Sequence, residues 1–351
     1  MRREEKQKEA LMPRVVAMLC FLLCCESAAA QNPYEGKTIN IISGASGGYD
    51  SYTRLLASHM GKFIPGAPNA VVRNMPGAAS MAAANYLYNI ASADGLTFGS
   101  FVKAIPLAPL LGDQAARYDA SKFTWIGSAS SYQNDAYLLI VRKDLGINSF
   151  ADLKNRAAPV RLGSTGPSSD ADVGARVVGQ TLGLKFKLVR GYQGTPQIAL
   201  AVESGEMDGM MIGLSSLHTA RPKWLEANSP VRFIFQFGYG GEGRFPMFQD
   251  TPRIDELAQS DEDRAIFSLM QLPFRVARPF AGPPGMSDSN KKTLRGAFMQ
   301  AFRDERLLSE ARKMGLDVSP VSGEEVADRI RAASALPAAL IKRYSDLLAS
   351  E

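Results

Sequence analysis

Short apolar runs alternate with stretches of helical periodicity along most of the chain. The pattern predicts a strand at 38–42, a helix at 50–60, a strand at 70–73, an Ala-rich helix at 80–89 and a strand at 96–101. Successive βα units of this kind build an α/β sheet. A strand at 124–128 then runs toward Asn134, and the fully apolar strand 136–141 opens a second series. That series continues with helix 150–154, strand 160–162, helix 168–182, strand 186–189, helix 195–203, strand 209–212 and strand 231–235. After Gly238 the chain is rich in Gly, Pro and aromatic residues up to Pro252, the composition of a crossing loop. The rest has helical pattern at 253–259, 261–270, 288–302, 305–314, 324–333 and 337–348, with one strand at 274–277 expected to return to the first sheet.

The fold this predicts is α/β with two lobes, each a mostly parallel sheet flanked by helices, and two hinge crossings. Residues 31–134 and 238–351 form a discontinuous first lobe and 135–237 a continuous second one. A cleft between two such lobes is the default ligand site.

Two strand-to-helix turns concentrate glycine, hydroxyls and backbone N–H groups. One is Ser43-Gly44-Ala45-Ser46-Gly47-Gly48-Tyr49-Asp50, the other Gly163-Ser164-Thr165-Gly166-Pro167-Ser168-Ser169-Asp170. Amides at a helix N-terminus suit an anion. In the plain structural reading the glycines only shape tight loops, while Asp50, Ser168 and Ser169 cap helices. Both turns fall at the C-terminal ends of strands in opposite lobes, where open α/β sheets bind ligands, and this joint placement favours binding. Lys103, just past strand 96–101, is either a cation at the same rim or a surface lysine.

Composition narrows the classes. With 351 residues, 46% hydrophobic and 21% charged, the chain is long enough for two cores, although one barrel-sized domain also fits. The net charge of +5 is spread along the chain, which argues against nucleic acid as a partner. Residues 15–25 form an apolar run preceded by Arg14 and followed by Ala28-Ala29-Ala30, the pattern of a signal peptide over residues 1–30 cleaved after Ala30. Residues 1–11 read as an over-long start, with Met12 the alternative initiator. Export to the periplasm as a soluble protein is the expectation.

All three cysteines, Cys20, Cys24 and Cys25, lie in that leader. A lipoprotein acceptor at Cys24 or Cys25 would follow Leu23 or Cys24, which are not the small residues such a site prefers. Two histidines without a cysteine make no ordinary zinc site, so neither metal nor cofactor is expected.

One turn also spells G-x-S-x-G at Gly44-Ala45-Ser46-Gly47-Gly48, a nucleophile elbow in form, with Asp208 and His218 following in the order of a hydrolase triad. Against a secreted serine hydrolase, the elbow sits on the first strand, and His59 lies in the helix that the elbow itself starts. The G-x-G-x-x-G at 238–243 is followed by Arg244-Phe245-Pro246 in place of a helix, which leaves a dinucleotide no helix N-terminus.

Five marks in order resemble the periplasmic substrate-binding proteins of tripartite tricarboxylate transporters, the Bug or TctC-like family. They are Ala45-Ser46-Gly47-Gly48-Tyr49-Asp50 with Arg54, Asn74-Met75-Pro76-Gly77-Ala78, Ala93-Asp94-Gly95-Leu96-Thr97, Gly163-Ser164-Thr165-Gly166-Pro167-Ser168-Ser169 and Gly205-Glu206-Met207-Asp208. The resemblance covers the chain from Tyr34 onward. It implies a non-enzymatic two-lobed flytrap that closes on a small organic acid and hands it to inner-membrane permease subunits; a monomer is expected. It puts Ser46, Gly47, Gly48, Tyr49 and Asp50 on one lip of the cleft and Ser164, Thr165, Ser168 and Ser169 on the other. Asp208 falls on a family aspartate with a binding or structural role. Tyr49 and Ser46 depart from the family's Thr and Gly, and Gly191-Tyr192-Gln193-Gly194 lacks the family's Lys. These departures bear on which acid is chosen. A sensor that presents its closed form to a membrane receptor would use the same site.

Overall fold

The computed structural model describes residues 33–45, 48–78, 80–133, 135–166, 169–192, 194–238 and 243–349. The chain begins with β1 (Thr38–Ser43), α1 (Gly48–Met60), β2 (Asn69–Asn74), α2 (Met81–Asn89), β3 (Thr97–Ser100) and β4 (Thr124–Ser128). It continues with β5 (Tyr137–Arg142), α3 (Phe150–Asn155), β6 (Val160–Gly163), α4 (Asp170–Leu182), β7 (Phe186–Val189), α5 (Thr195–Glu203), β8 (Gly209–Gly213), α6 (Leu214–Ala220) and β9 (Val231–Phe237). The remainder holds α7 (Asp261–Arg275), β10 (Pro279–Gly282), α8 (Asp288–Ala301), α9 (Glu305–Lys313), β11 (Val321–Ser322), α10 (Gly323–Ser334) and α11 (Ala338–Ala349).

These strands form two sheets, one per lobe, in the orders β11-β4-β10-β3-β1-β2 and β7-β6-β8-β5-β9. Both sheets are mixed where the sequence pattern suggests mainly parallel pairing. β1 runs parallel to β2 and β3, but β10 lies antiparallel between β3 and β4, and β11 is antiparallel to β4. Likewise β6 is parallel to β7 and β8, while β5 lies antiparallel between β8 and β9. The physical reason is connectivity. β5 and β10 each enter after the chain has come from the other sheet, so no helical crossover forces them parallel. The strands on either side of each inserted strand keep one direction, and their C-terminal ends open on a single edge of each sheet.

Alternation along the strands divides the core. Ile39 and Ile41 face a cluster formed with Tyr52, Leu55 and Leu56 of α1 and Leu294 and Phe298 of α8, whereas Ile42 faces the opposite side. In β5, Leu138 and Ile140 pack with Ile198 and Val202 of α5, while Leu139 and Val141 point the other way. The cluster on that other side is continuous between the lobes and takes in Trp125, Phe235 and Phe237 together with Phe267, Ile330 and Tyr344. Helices α7 and α11 pack on α4, beside the second sheet, whereas α10 packs on β4 of the first.

Residues 274–277, expected as a strand, are not one. Helix α7 continues through Pro273 to Arg275, with Phe274 buried, and the strand that enters the first sheet is β10. A proline in the final turn removes a single helical hydrogen bond, and a proline as the first residue of a strand removes none that the strand needs. Residues 253–259 likewise hold only a 3-10 turn at Ile254–Leu257.

Gly44, just past β1, is there because nothing larger fits: a Cβ would lie 2.9 Å from the Ser100 carbonyl oxygen and 3.1 Å from the Cβ atoms of Ser80 and Ala83. Gly44→Ala is expected to cost about 1–3 kcal/mol, because backbone must yield. Chemical denaturation checks this, and a variant as stable as the parent would show that the close approach is not tight in solution.

Candidate functional site

The first lip leaves β1 at Ser43, whose hydroxyl donates to the Ala45 carbonyl at 3.0 Å. Ser46 and Gly47 lie outside the described residues, and Gly48 begins α1. Tyr49, in the first helical turn, accepts a hydrogen bond on its hydroxyl from the backbone N–H of Lys103 at 3.1 Å. Asp50 accepts from Arg54 Nε at 2.7 Å and from Asn74 Nδ2 at 3.2 Å, and Arg54 Nη2 donates to Asn74 Oδ1 at 2.9 Å. Burial pushes the Asp50 carboxyl up, but hydrogen bonds from Arg54, Ser43 and Asn74 outweigh it and hold the group below its ordinary value. Asp50 therefore fixes the start of α1 to the end of β2.

The second lip is built around a carboxylate with no solvent exposure, that of Asp172. Its oxygens accept from Arg176 Nε at 2.7 Å, Arg190 Nε at 2.7 Å and Ser164 Oγ at 3.3 Å. Ser169 caps α4, its hydroxyl accepting from the Asp172 N–H at 3.2 Å and lying 3.1 Å from Ser164 Oγ. Ser164 also accepts from the Gly166 N–H at 3.1 Å. The Ser164 side chain is thus turned inward to shape the lip, and Thr165 stands exposed at its tip. Ser168 lies outside the described residues. Burial raises the Asp172 carboxyl, but hydrogen bonds from Arg190 and Arg176 and their charges win and hold it below the usual range. Arg176 also donates to the carbonyl of Leu348 in α11, which ties the lip to the C-terminal helix.

Lys103 joins the two lips. Its Nζ donates to Asp170 in the first turn of α4 at 2.6 Å, and its backbone holds the Tyr49 hydroxyl of α1. The ammonium lies 4.2 Å from the Phe274 ring centroid and 5.8 Å from that of Tyr132. Lys103 is therefore a junction residue and not a plain surface lysine. The structure brings Tyr49, Asp50, Ser164 and Ser169 to this junction or one turn from it. Asp208 stands apart: it accepts from Arg161 Nη2 at 2.6 Å, Arg161 Nε at 3.1 Å and the Arg161 N–H at 2.8 Å, which fixes the turn before β8.

Arg278 is the functional candidate that reading the sequence missed. It follows α7 and precedes β10, and its guanidinium carbon lies 4.5 Å from the Tyr49 ring, 5.4 Å from Tyr52 and 6.0 Å from Tyr132. Burial lowers its pKa, but the surrounding tyrosines raise it above the ordinary value, so the cation is firmly charged. An Arg before a short apolar run is a weak signal in sequence, and a strand placed at 274–277 leaves Arg278 just past its end. Tyr132 also has a left-handed backbone, φ 51°, a strained geometry that tends to collect at functional sites. His59, the nearer of the two histidines to Ser46 in sequence, faces away into α9, with Nε2 3.1 Å from Glu310 Oε2.

No protein-family model and no curated protein matches the chain. Solved structures do. A TctC solute-binding protein from Polaromonas aligns with a TM-score of 0.67 at 17% identity, covering 90% of this chain and 99% of its own. The R. palustris protein Rpa4515 with adipate aligns at 0.54 with 18% identity, covering 89% and 97%. MatC from Rhodopseudomonas palustris with bound malate aligns at 0.50 with 17% identity, covering 89% and 99%. At these identities the likeness is one of fold, the two-lobed α/β architecture of the TctC and Bug binding proteins that the sequence marks resemble.

Asp172→Asn is expected to destabilise the protein at neutral pH by about 3 kcal/mol, since it strips the charge partner from two arginines at a buried point. The folded pKa of Asp172 lies below the unfolded value of about 3.9, so its contribution is complete above that pH and is lost as pH falls through the folded value. Denaturant titrations should therefore show a gap between the two proteins that is constant from neutral pH to about 5 and closes only below about 4. A gap that persists at the acid end would remove the carboxylate charge from the explanation.

Proposed function

We propose that the protein is a periplasmic solute-binding protein that captures a small organic carboxylate between its lobes and delivers it to a tripartite tricarboxylate-type permease in the inner membrane. The observation that carries this reading is the meeting of the lips: the N-termini of α1 and α4, one from each lobe, are joined through Lys103. Helix N-termini bring partial positive charge, and Arg278 adds a full one, while the charge of Lys103 is matched by Asp170. The malate and adipate held by two proteins of the same fold support an acid as ligand.

In this mechanism the backbone amides of the lips hold the ligand carboxylate. Lobe closure then removes water, and differential affinity for the closed form drives the closure. Lobe 1 is taken as 31–134 with 238–351 and lobe 2 as 135–237, with the leader 1–30 removed. No cofactor is needed, and the protein works as a monomer.

A thermal-shift screen over mono-, di- and tricarboxylates, amino acids and aromatic acids tests the reading. A cognate ligand at about 100 times its Kd adds about 2.7 kcal/mol, and no shift with any carboxylate would defeat the proposal. Thr165→Val, at the exposed tip of the second lip, is expected to weaken the responding acid about tenfold in titration calorimetry while leaving unfolding unchanged, the cost of one hydrogen bond to a charged group. Equal affinity would take Thr165 out of the site.

A further inference from the structure

A cavity of about 460 Å³ lies between α7 and α10, and no residue of either lip lines it. Its size is within the range of about 300–1,000 Å³ usual for small-molecule sites. The walls follow helical spacing: Ala265, Leu269 and Leu272 on α7 meet Ala333 of α10 and Leu336 just beyond it. Leu269, Leu272 and Ala333 are buried, and Leu336 packs half-buried against the same core. None of the described side chains that line the cavity is acidic, whereas three are arginines, Arg264, Arg275 and Arg329.

Two of these cations meet at one end. Arg329 Nη1 donates to the backbone carbonyl of Arg275 at 2.8 Å, while its Nη2 is matched by Glu325 at 2.6 Å. Arg264, at the other end of the α7 stripe, is matched by Asp261. Arg275 has neither an ion pair nor a hydrogen bond from its guanidinium among the described residues. Asp255, the acid that attracts it, has Oδ2 on Arg253 at 2.6 Å and Oδ1 on Gln271 at 2.7 Å. Burial lowers the Arg275 pKa, Asp255 pulls the other way, and the charges of Arg329 and Arg253 lower it further. An arginine in the last turn of a helix ordinarily complements the helix dipole with its head in water. Arg275 instead sits half-buried beside like charges, at the end of a cavity with apolar walls. A guanidinium so placed is set for a planar anion. The leucine walls add a demand that an inorganic anion leaves unmet.

We propose that this cavity is a second ligand site, for a medium-chain alkanoate: the carboxylate lies on the Arg275 guanidinium beside Arg329, and the alkyl chain runs along Leu272, Leu269 and Leu336 toward Arg264. The site is separate from the cleft between the lips and does not rest on what the cleft holds. Helix α7 packs on α4 beside the second sheet and α10 on β4 of the first, so the occupant touches a helix of each layer.

The test is titration calorimetry of octanoate, decanoate and the uncharged octanamide, below micelle-forming concentrations, on the wild type, Arg275→Gln, Ala332→Trp and Thr165→Val. The wild type is expected to bind one alkanoate per chain, with decanoate about 10- to 15-fold tighter than octanoate for two more buried methylenes, and octanamide at least about tenfold weaker than octanoate. Arg275→Gln should lose about 10- to 100-fold for both alkanoates and leave octanamide within about threefold; the Arg329 bond to the backbone at 275 survives this change. Ala332→Trp, a bulky side chain at an exposed position on the cavity rim, should weaken all three at least about tenfold, and it decides the matter if the Arg275 variant does not fold. Thr165→Val, on the second lip, should change nothing. No saturable binding, an affinity indifferent to chain length, or full affinity in Arg275→Gln or in Ala332→Trp overturns the site. Loss in Thr165→Val alone would move the alkanoate to the cleft and overturn it as well.

Discussion

The buried carboxylate of Asp172 is the constraint on which the second lip depends. A carboxylate without solvent contact is tolerable only if its charge is matched and its lone pairs are filled, and two arginines with the Ser164 hydroxyl meet both conditions. Its partners come from the loop after β6, from α4 and from the residue after β7, so satisfying one group fixes three segments at once. The hydroxyls of Ser164 and Ser169 are spent on this shaping, which leaves Thr165 as the exposed hydroxyl at the tip of the turn. The first lip is built differently. Asp50, Arg54 and Asn74 form a partly exposed triangle that anchors α1 to β2, and the tight approach at Gly44 sets where the turn begins.

The mixed sheets serve the same end. In each lobe an inserted antiparallel strand spaces the parallel ones without reversing them, so the loops that follow β1, β3, β6 and β8 all emerge on the edge where the lobes meet. Lys103 follows β3 and Asp170 follows the loop after β6, and their ion pair is the direct result of that shared edge. Arg278 arrives from the inserted strand itself and enters the same junction from the opposite direction.

Much of this was legible in the sequence because it is local. Period-two alternation in β1 and β5 and helical periodicity in α1 and α4 are set by which face is buried, and strand-to-helix turns announce themselves through Gly, Ser and Asp. What was illegible depended on partners distant in the chain. Asp172 looks like a first-turn acid that complements a helix dipole until Arg190 is folded back onto it. Lys103 looks like a surface lysine until Asp170 is placed opposite. The strand placed at 274–277 was the local misreading, because the burial of Leu272 and Phe274 carries the helix past Pro273. That error moved the strand and concealed Arg278.

The bond from Arg176 to the carbonyl of Leu348 has a consequence for the order of assembly. The same guanidinium that neutralises Asp172 reaches into the C-terminal helix, and α11 covers α4 with Tyr344 and Leu347 in the shared core. A chain that emerges amino end first therefore presents both glycine-rich turns long before the helix that braces one of them. The packing around the second sheet is complete only once α11 has been made and docked on α4.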